Sequence, residues 1–193
     1  INCSGVGIVE KKVGMGMIRP GDKVLINGDI ARHGLSILLG REGFSYESSL
    51  ESDCNSLWEI VELLIKGDVD VRFMRDPTRG GVSAVTNETA EGCGYSIVLF
   101  EDQIPIKPSA KNLSEILGLE PLDMANEGKM IFFVRDKDAK KALKLLKNNP
   151  LSKDSALIGE VLKEKNQKVY LDTAIGARKI VGFPVSEVVP RIC

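Results

Sequence analysis

Three loop segments of this chain combine residue types from which phosphate-binding and proton-transferring sites are built. The first, Asp76-Pro77-Thr78-Arg79-Gly80-Gly81, lies between a predicted strand and a predicted helix. Paired glycines let a ligand approach the backbone, a helix N-terminus attracts phosphate, and Arg79 would add a charge-assisted contact. A second interpretation stays open, in which Asp76 caps the helix, Pro77 occupies its first turn and the glycines only pack.

The second segment, Asn126-Glu127-Gly128-Lys129, directly precedes the apolar run Met130-Ile131-Phe132-Phe133-Val134. A carboxylate at the mouth of a buried strand is a candidate general base. The alternative is a turn in which Glu127 and Lys129 are solvated. The third segment, residues 28–34, contains the only histidine, His33. A lone histidine near a helix start is more often a structural residue than a catalyst.

The last residue, Cys193, places a thiol at the end of the chain after Pro190-Arg191-Ile192. Chain ends are the least tethered part of a domain, so a group carried there can be passed between sites. The simpler interpretation is a chain that happens to end in cysteine. The other cysteines are Cys3, Cys54 and Cys93, and Cys54 is predicted to be buried beneath a helix capped by Ser52-Asp53.

The composition argues against several classes of protein. The formal net charge of −1 gives no reason to expect nucleic acid or an anionic membrane as partner. No apolar run is long enough to span a bilayer. The four cysteines fit neither a metal site nor a disulfide scaffold, so we predict no metal bound by protein ligands and a reducing, cytoplasmic location.

Helical and strand patterns alternate along the chain, which predicts an α/β or α+β fold with helices on one face of a mixed sheet. Residues 1–13 are predicted to form a strand. A helix is predicted to begin at Ser52. Strands 156–162 and 168–171 are predicted to pair with each other across a polar turn. After Gly176 the periodicity ends, so residues 181–193 are predicted to be a mobile tail. The predicted helices are 29–39, 81–91, 109–117 and 136–146, and the remaining strands are 23–26, 69–73, 95–100 and 130–134.

These segments together resemble one family. The set comprises Gly28-Asp29 with His33-Gly34, Met74-Arg75 with residues 76–81, Ala125 with residues 126–129, and the terminal Pro190-Arg191-Ile192-Cys193. It resembles the HypE family of [NiFe]-hydrogenase maturation proteins, which are carbamoyl dehydratases with a PurM-like fold related to aminoimidazole ribonucleotide synthetase. The resemblance covers nearly the whole chain.

The resemblance implies a role for each matched residue. Cys193 would receive a carbamoyl group from a HypF-like carbamoyltransferase, ATP would phosphorylate its oxygen, and loss of phosphate would leave a thiocyanate. Glu127 would be the base. The cyanide would then pass to iron in a HypC–HypD-like complex. Binding of the phosphates or positioning of the tail is assigned to Asp76, Thr78, Arg79, Gly80, Gly81, Asn126 and His33.

The family also implies what this chain would lack. Most residues that hold ATP and Mg2+ in such proteins, and the homodimer contact, belong to an N-terminal domain. Residues 1–20 would be the end of that domain, residues 21–180 the PurM-like C-terminal domain, and the chain alone would turn over ATP poorly. Two alternatives stay open: a non-catalytic carrier or docking module, and a PurM-like small-molecule kinase for which Cys193 is dispensable.

Overall fold

The strands of this chain form one mixed seven-stranded sheet in the order β2-β4-β1-β5-β3-β6-β7. The computed structural model describes residues 4–9, 11–42 and 50–184. Only β3 and β6 run parallel, and every other neighbouring pair is antiparallel. The strands are β1 (Lys23–Ile26), β2 (Val71–Arg75), β3 (Ile97–Phe100), β4 (Ile131–Val134), β5 (Ala156–Val161), β6 (Val169–Asp172) and β7 (Arg178–Val181).

Five helices connect these strands. They are α1 (Arg32–Glu42), α2 (Trp58–Lys66), α3 (Gly81–Cys93), α4 (Pro108–Leu117) and α5 (Asp136–Lys147). Helix α5 shows why such segments are helical, because buried Ala139, Ala142 and Leu146 recur every three or four residues along one face. No helix within the described residues combines the length and apolarity needed to cross a membrane.

The helices cover both faces of the sheet, so the predicted mixed sheet is confirmed but the placement of all helices on one face is wrong. Successive residues of a strand point to opposite faces. In β4, Phe133 packs in the cluster that contains α3, whereas Phe132 packs in the cluster that contains α2 and α5. Both rings are fully buried. Burial of each side chain contributes about 2–3 kcal/mol, and the helix on each face is what excludes water.

Two predictions about the second half of the sheet are also wrong. Strands β5 and β6 do not pair, because β3 lies between them, antiparallel to β5 and parallel to β6. The chain does not become irregular after Gly176, because β7 pairs with β6 at the edge of the sheet. Val181, the last residue of β7, is buried opposite Val169.

Two predictions about the first half differ in detail. The described residues between 4 and 13 form no strand, since they have no sheet partner. Helix α2 begins at Trp58 rather than at Ser52, because the side chains of residues 52–53 are engaged with other loops. Helix α1 begins at Arg32, three residues later than predicted.

Candidate functional site

The three loop segments meet where strands β1 and β2 end and strand β4 begins. Strands β1 and β2 both pair antiparallel with β4, so the ends of β1 and β2 lie beside the start of β4. Ile26 and Arg75 are both paired with Ile131. Residues 27–34, 76–81 and 126–130 therefore adjoin one another, although they are far apart in the sequence.

Asn126 connects these loops from a fully buried position. Its Oδ1 accepts a hydrogen bond from the backbone N–H of Ala31 at 2.9 Å, and its Nδ2 donates to the carbonyl of Met124 at 2.7 Å. The Thr78 hydroxyl donates to the Asn126 carbonyl at 3.2 Å. The Asn126 N–H donates to the carbonyl of Pro77, also at 3.2 Å. Asn126 and Thr78, which were both predicted to be site residues, thus connect the loops through hydrogen bonds.

Glu127 and His33 are also brought together. Glu127 Oε1 lies 3.9 Å from His33 Nε2, and the Glu127 side chain keeps 37% of its surface exposed whereas His33 keeps 9%. That separation is too long for a hydrogen bond but allows charge attraction when the imidazole is protonated. The arrangement is an accessible carboxylate beside a nearly buried imidazole, which suits proton transfer to or from a bound group.

The other ring nitrogen of His33 is held by the segment before α2. Ser52 Oγ lies 2.9 Å from His33 Nδ1, and Cys54 Sγ lies 3.9 Å from the same atom. Cys54 is exposed, so the prediction of a core position for it is wrong. The chain after Ser52 does not continue into a helix, which leaves Cys54 on the surface beside the imidazole.

A buried cluster of charges lies beneath these residues. Lys129 Nζ lies 2.8 Å from Asp53 Oδ2, and the two side chains are 6% and 0% exposed. A second carboxylate, Asp29, lies 3.9 Å from Lys129 Nζ and 2.6 Å from Arg32 Nε. The solvated turn considered for Lys129 is therefore wrong. Sequence reasoning did not find this cluster, because Asp53 resembled a helix cap.

The 76–81 loop is built differently from the capped helix that we considered. The residue before α3 is Gly80, in the left-handed conformation with φ 64°, and no side chain caps the helix. A Cβ at Gly81 would lie 2.3 Å from the carbonyl oxygen of Leu122, so Gly81 allows two backbones to pack closely. Asp76 and Arg79 are exposed. Within this loop, the groups that could attract a phosphate are therefore Arg79 and the helix end, because the position of a Cβ at Gly81 is occupied by other backbone atoms.

A half-buried carboxyl lies at the same helix end. Burial raises the pKa of Asp123, while the nearby Ser83 hydroxyl in the first turn of α3 acts in the opposite direction. A carboxyl group that stays protonated to higher pH repels a neighbouring anion less. The described part of the chain holds no group of three or more His, Cys, Asp or Glu side chains suited to a metal ion.

Cys193 lies outside the described residues, but the chain leaves the described part close to the site. Pro184 packs over Gly80, where a Cβ would lie 3.3 Å from Pro184 Cγ. Asn87 of α3 donates to the carbonyl of Val181, which fixes β7 against the same helix. The described part of the chain therefore ends at Pro184, close to the N-terminus of α3.

Comparisons with known proteins identify several similar proteins. The chain is 38% identical over 195 residues to carbamoyl dehydratase HypE of Escherichia coli strain K12, and 36% identical over 195 residues to HypE of Rhodobacter capsulatus. Each alignment covers 100% of this chain and 57% of the relative. The chain thus spans a little over half the length of these curated relatives, and the resemblance to HypE proteins inferred from the motifs is confirmed.

Solved structures show the same similarity. The crystal structure of E. coli HypE, a hydrogenase maturation protein, superposes with a TM-score of 0.89 and 38% identity, covering 95% of this chain and 56% of that one. A HypE structure in complex with ATP superposes with a TM-score of 0.87 and 34% identity, covering 94% of this chain and 55% of that one. A HypE–HypF complex superposes with a TM-score of 0.83 and 36% identity, covering 89% of this chain and 56% of that one. The predicted PurM-like fold is confirmed.

The model of the family "AIR synthase related protein, C-terminal domain" matches residues 19–172, which is most of the chain and includes all three loop segments. The chain therefore belongs to the AIR synthase related family.

Proposed function

We propose that this chain is the tail-bearing part of an ATP-dependent carbamoyl dehydratase of the HypE type. The observation that carries the proposal is the accessible Glu127 carboxylate beside His33, at the sheet edge formed by the three loop segments. The substrate is the chain's own terminal cysteine, Cys193, after carbamoylation of its sulfur.

The reaction removes one water from the carbamoyl group. The carbamoyl oxygen takes the terminal phosphoryl group of ATP, and one N–H proton is released. The C–O bond then breaks with loss of phosphate, while the second N–H proton passes to Glu127. The carbon–nitrogen bond becomes triple, the sulfur–carbon bond of Cys193 is retained, and the products are a protein thiocyanate, ADP and phosphate. Glu127 fits the role of base because its carboxylate is accessible from solvent.

We propose that the residues after Pro184 are numerous enough to bring Cys193 to Glu127. Residues 185–193 follow Pro184, which packs against Gly80. Nine extended residues span at most roughly 30 Å. Asn126 binds the carbonyl of Pro77 and immediately precedes Glu127, so the base lies in a loop that adjoins the start of the tail.

Arg79, Thr78 and the N-terminus of α3 are proposed to approach the phosphates of ATP. Arg79 is exposed and lies two residues before the 13-residue helix, so its guanidinium and the helix N-terminus would offer positive charge to the same anion. Because the curated relatives are much longer, we further propose that ATP and Mg2+ are held mainly by a region not matched by this chain. The chain alone would then turn over ATP slowly.

We also propose the partners that this chemistry requires. A HypF-like carbamoyltransferase supplies the carbamoyl group, in line with the solved HypE–HypF complex. A HypC–HypD-like complex receives the cyanide on its iron. The working form would be a homodimer in the cytoplasm.

The experiment that tests the proposal is intact-mass measurement after incubation with a HypF-like carbamoyltransferase, carbamoyl phosphate and ATP. This chain would be used alone and joined to the part of E. coli HypE that it does not match. A carbamoyl-sized increase is expected for both proteins and not for Cys193→Ala. Loss of one water is expected only in the joined protein. No increase in the wild-type chain would refute the role of Cys193, and an increase without any loss of water in the joined protein would favour the carrier alternative.

A further inference from the structure

We propose that the buried ion pair between Asp53 and Lys129 positions Glu127 for catalysis. The inference rests on the proposed function, since it assigns these two residues to the same base. Neither residue touches the reacting atoms in this scheme. They act through the backbone of residues 127–129.

The contacts that connect the pair to Glu127 come from both oxygens of one carboxylate. Asp53 Oδ2 binds Lys129 Nζ at 2.8 Å, and Asp53 Oδ1 accepts the backbone N–H of Glu127 at 3.4 Å. Gly128 lies between Glu127 and Lys129 in the sequence. A Cβ at Gly128 would lie 1.7 Å from the carbonyl oxygen of Asp53, so the two backbone segments are in close contact. The 127–129 segment is therefore fixed to residue 53 at three consecutive positions.

The segment is fixed on its other side as well. Asn27 donates from Nδ2 to the Gly128 carbonyl at 3.1 Å and accepts the N–H of Met130 at 2.7 Å through Oδ1. Asn27 directly follows β1, which is central in the sheet. The backbone that carries Glu127 is thus clamped between the end of β1 and the segment before α2.

The charges of the cluster balance, which explains how the pair can be buried. Asp29 and Asp53 supply two negative charges, and Lys129 and Arg32 supply two positive charges. A buried ion cluster of this kind contributes little to stability compared with an apolar replacement. What it adds is a single geometry, because a misplaced partner would leave a charge unpaired. That geometry includes the position of the Glu127 backbone.

The position matters because proton transfer requires the base within hydrogen-bond distance of the proton. Lys129→Met would leave the Asp53 carboxylate buried without its cation, and the 52–55 segment would move to hydrate it. The Glu127 N–H would then lose its acceptor. We expect the water-loss step to slow by at least about 10-fold, because a displacement of about 1 Å costs this much or more. Carbamoylation of Cys193 and the KM for ATP should change less than about twofold.

The test is a double-mutant cycle on the joined protein, read as the single-turnover rate of water loss from carbamoylated Cys193. The variants are Lys129→Met, Glu127→Gln and their combination. Lys140→Met, which removes an exposed lysine of α5, serves as the matched control. If Lys129 acts by positioning Glu127, adding Lys129→Met to Glu127→Gln should change the rate less than about twofold. A further slowing by the full factor would overturn the inference while leaving the proposed function intact.

A neutral replacement of both partners protects the test against simple misfolding. In Asp53→Asn/Lys129→Met no charge is left unpaired, and the amide oxygen of the asparagine still accepts the Glu127 N–H. We expect this variant to regain most of the rate lost in Lys129→Met. If Asp53→Asn/Lys129→Met loses water as slowly as Lys129→Met, the positioning role is overturned. A wild-type rate in Glu127→Gln would instead overturn Glu127 as the base, and the positioning role with it.

Discussion

Asn126 holds the backbone of Ala31 in a conformation that alanine rarely adopts. The Asn126 amide oxygen accepts the Ala31 N–H at 2.9 Å, and Ala31 has a φ of 74°. Non-glycine residues in the left-handed region cost about 1–3 kcal/mol and persist where the surroundings enforce them. Ala31 directly precedes α1, whose second residue is His33, so this hydrogen bond helps to set the direction from which the histidine enters the site.

Replacement of Asn126 by alanine should therefore destabilise the protein strongly. It would remove the acceptor for Ala31 and the donor to the carbonyls of Met124 and Pro77, all in a fully buried position. Unpaired buried polar groups cost about 1–3 kcal/mol each, so we expect a loss of about 3 kcal/mol. Urea unfolding followed by circular dichroism measures this free energy.

Asn112→Ala provides the matched control for that substitution. Asn112 lies on the exposed face of α4, where alanine has the higher helix propensity. Its free energy of unfolding should stay within about 0.5 kcal/mol of the wild type. Equal effects of the two substitutions would contradict the role assigned to Asn126.

Gly128→Ala tests the close contact between two site loops. The new methyl group would lie 1.7 Å from the Asp53 carbonyl oxygen, so one backbone segment must move. Overpacking costs about 1–3 kcal/mol, and we expect a loss near the upper end because the obstacle is backbone. Thermal unfolding of the two variants Gly128→Ala and Gly40→Ala gives the comparison.

Gly40→Ala should have the opposite effect. Gly40 lies within α1, and nothing is within 4 Å of its Cβ position. Alanine in such a helix position stabilises by about 0.5–1 kcal/mol. A melting temperature for Gly128→Ala as high as that of the wild type would mean that the two loops are not packed as described.

The loops of the site could be located from sequence, whereas the contacts beneath them could not. The apolar run before Arg135 marks β4, so Asn126 and Glu127 had to lie at the start of a buried strand. The pairing of Asp53 with Lys129 joins residues 76 positions apart, and local patterns carry no information about such contacts. The motif Ser52-Asp53-Cys54 is typical of a helix start, and tertiary contacts outweighed that preference.

Strand β7 was missed for a related reason. Its first three residues, from Arg178 to Ile180, are exposed and only Val181 is buried. An edge strand with one buried residue shows no alternation of apolar and polar residues. The polar stretch between β5 and β6 resembled a hairpin turn, although it is long enough to cross to the far side of β3.

The pH dependence of stability should contain a contribution from Asp22. Burial raises the pKa of this carboxyl, and the Arg19 N–H and Arg72 oppose the effect. The folded state therefore holds the proton to higher pH than the unfolded state does, so this group makes the protein less stable as pH rises above about 4. Asp22→Asn removes the effect and keeps an acceptor for the Arg19 N–H.

The measurement is the free energy of unfolding of both proteins between pH 4 and 7. The difference, Asp22→Asn minus wild type, should become more positive as pH rises. Asp154→Asn, at an exposed side chain, controls for the change of carboxylate to amide. A difference that falls with rising pH would mean that attraction to Arg72 outweighs burial.

Glu127→Gln should separate the two halves of the proposed reaction. The amide keeps the shape of the side chain but cannot take a proton, so water loss from carbamoylated Cys193 should slow by about 10²–10⁴-fold. Carbamoylation of Cys193 by the HypF-like enzyme should proceed normally, because it needs no base in this chain. Intact mass would then show the carbamoylated protein accumulating in the presence of ATP. Glu115→Gln, on the exposed side of α4, should behave as wild type in both steps. If Glu127→Gln instead blocked carbamoylation, its carboxylate would be needed for docking of the donor enzyme rather than for proton transfer.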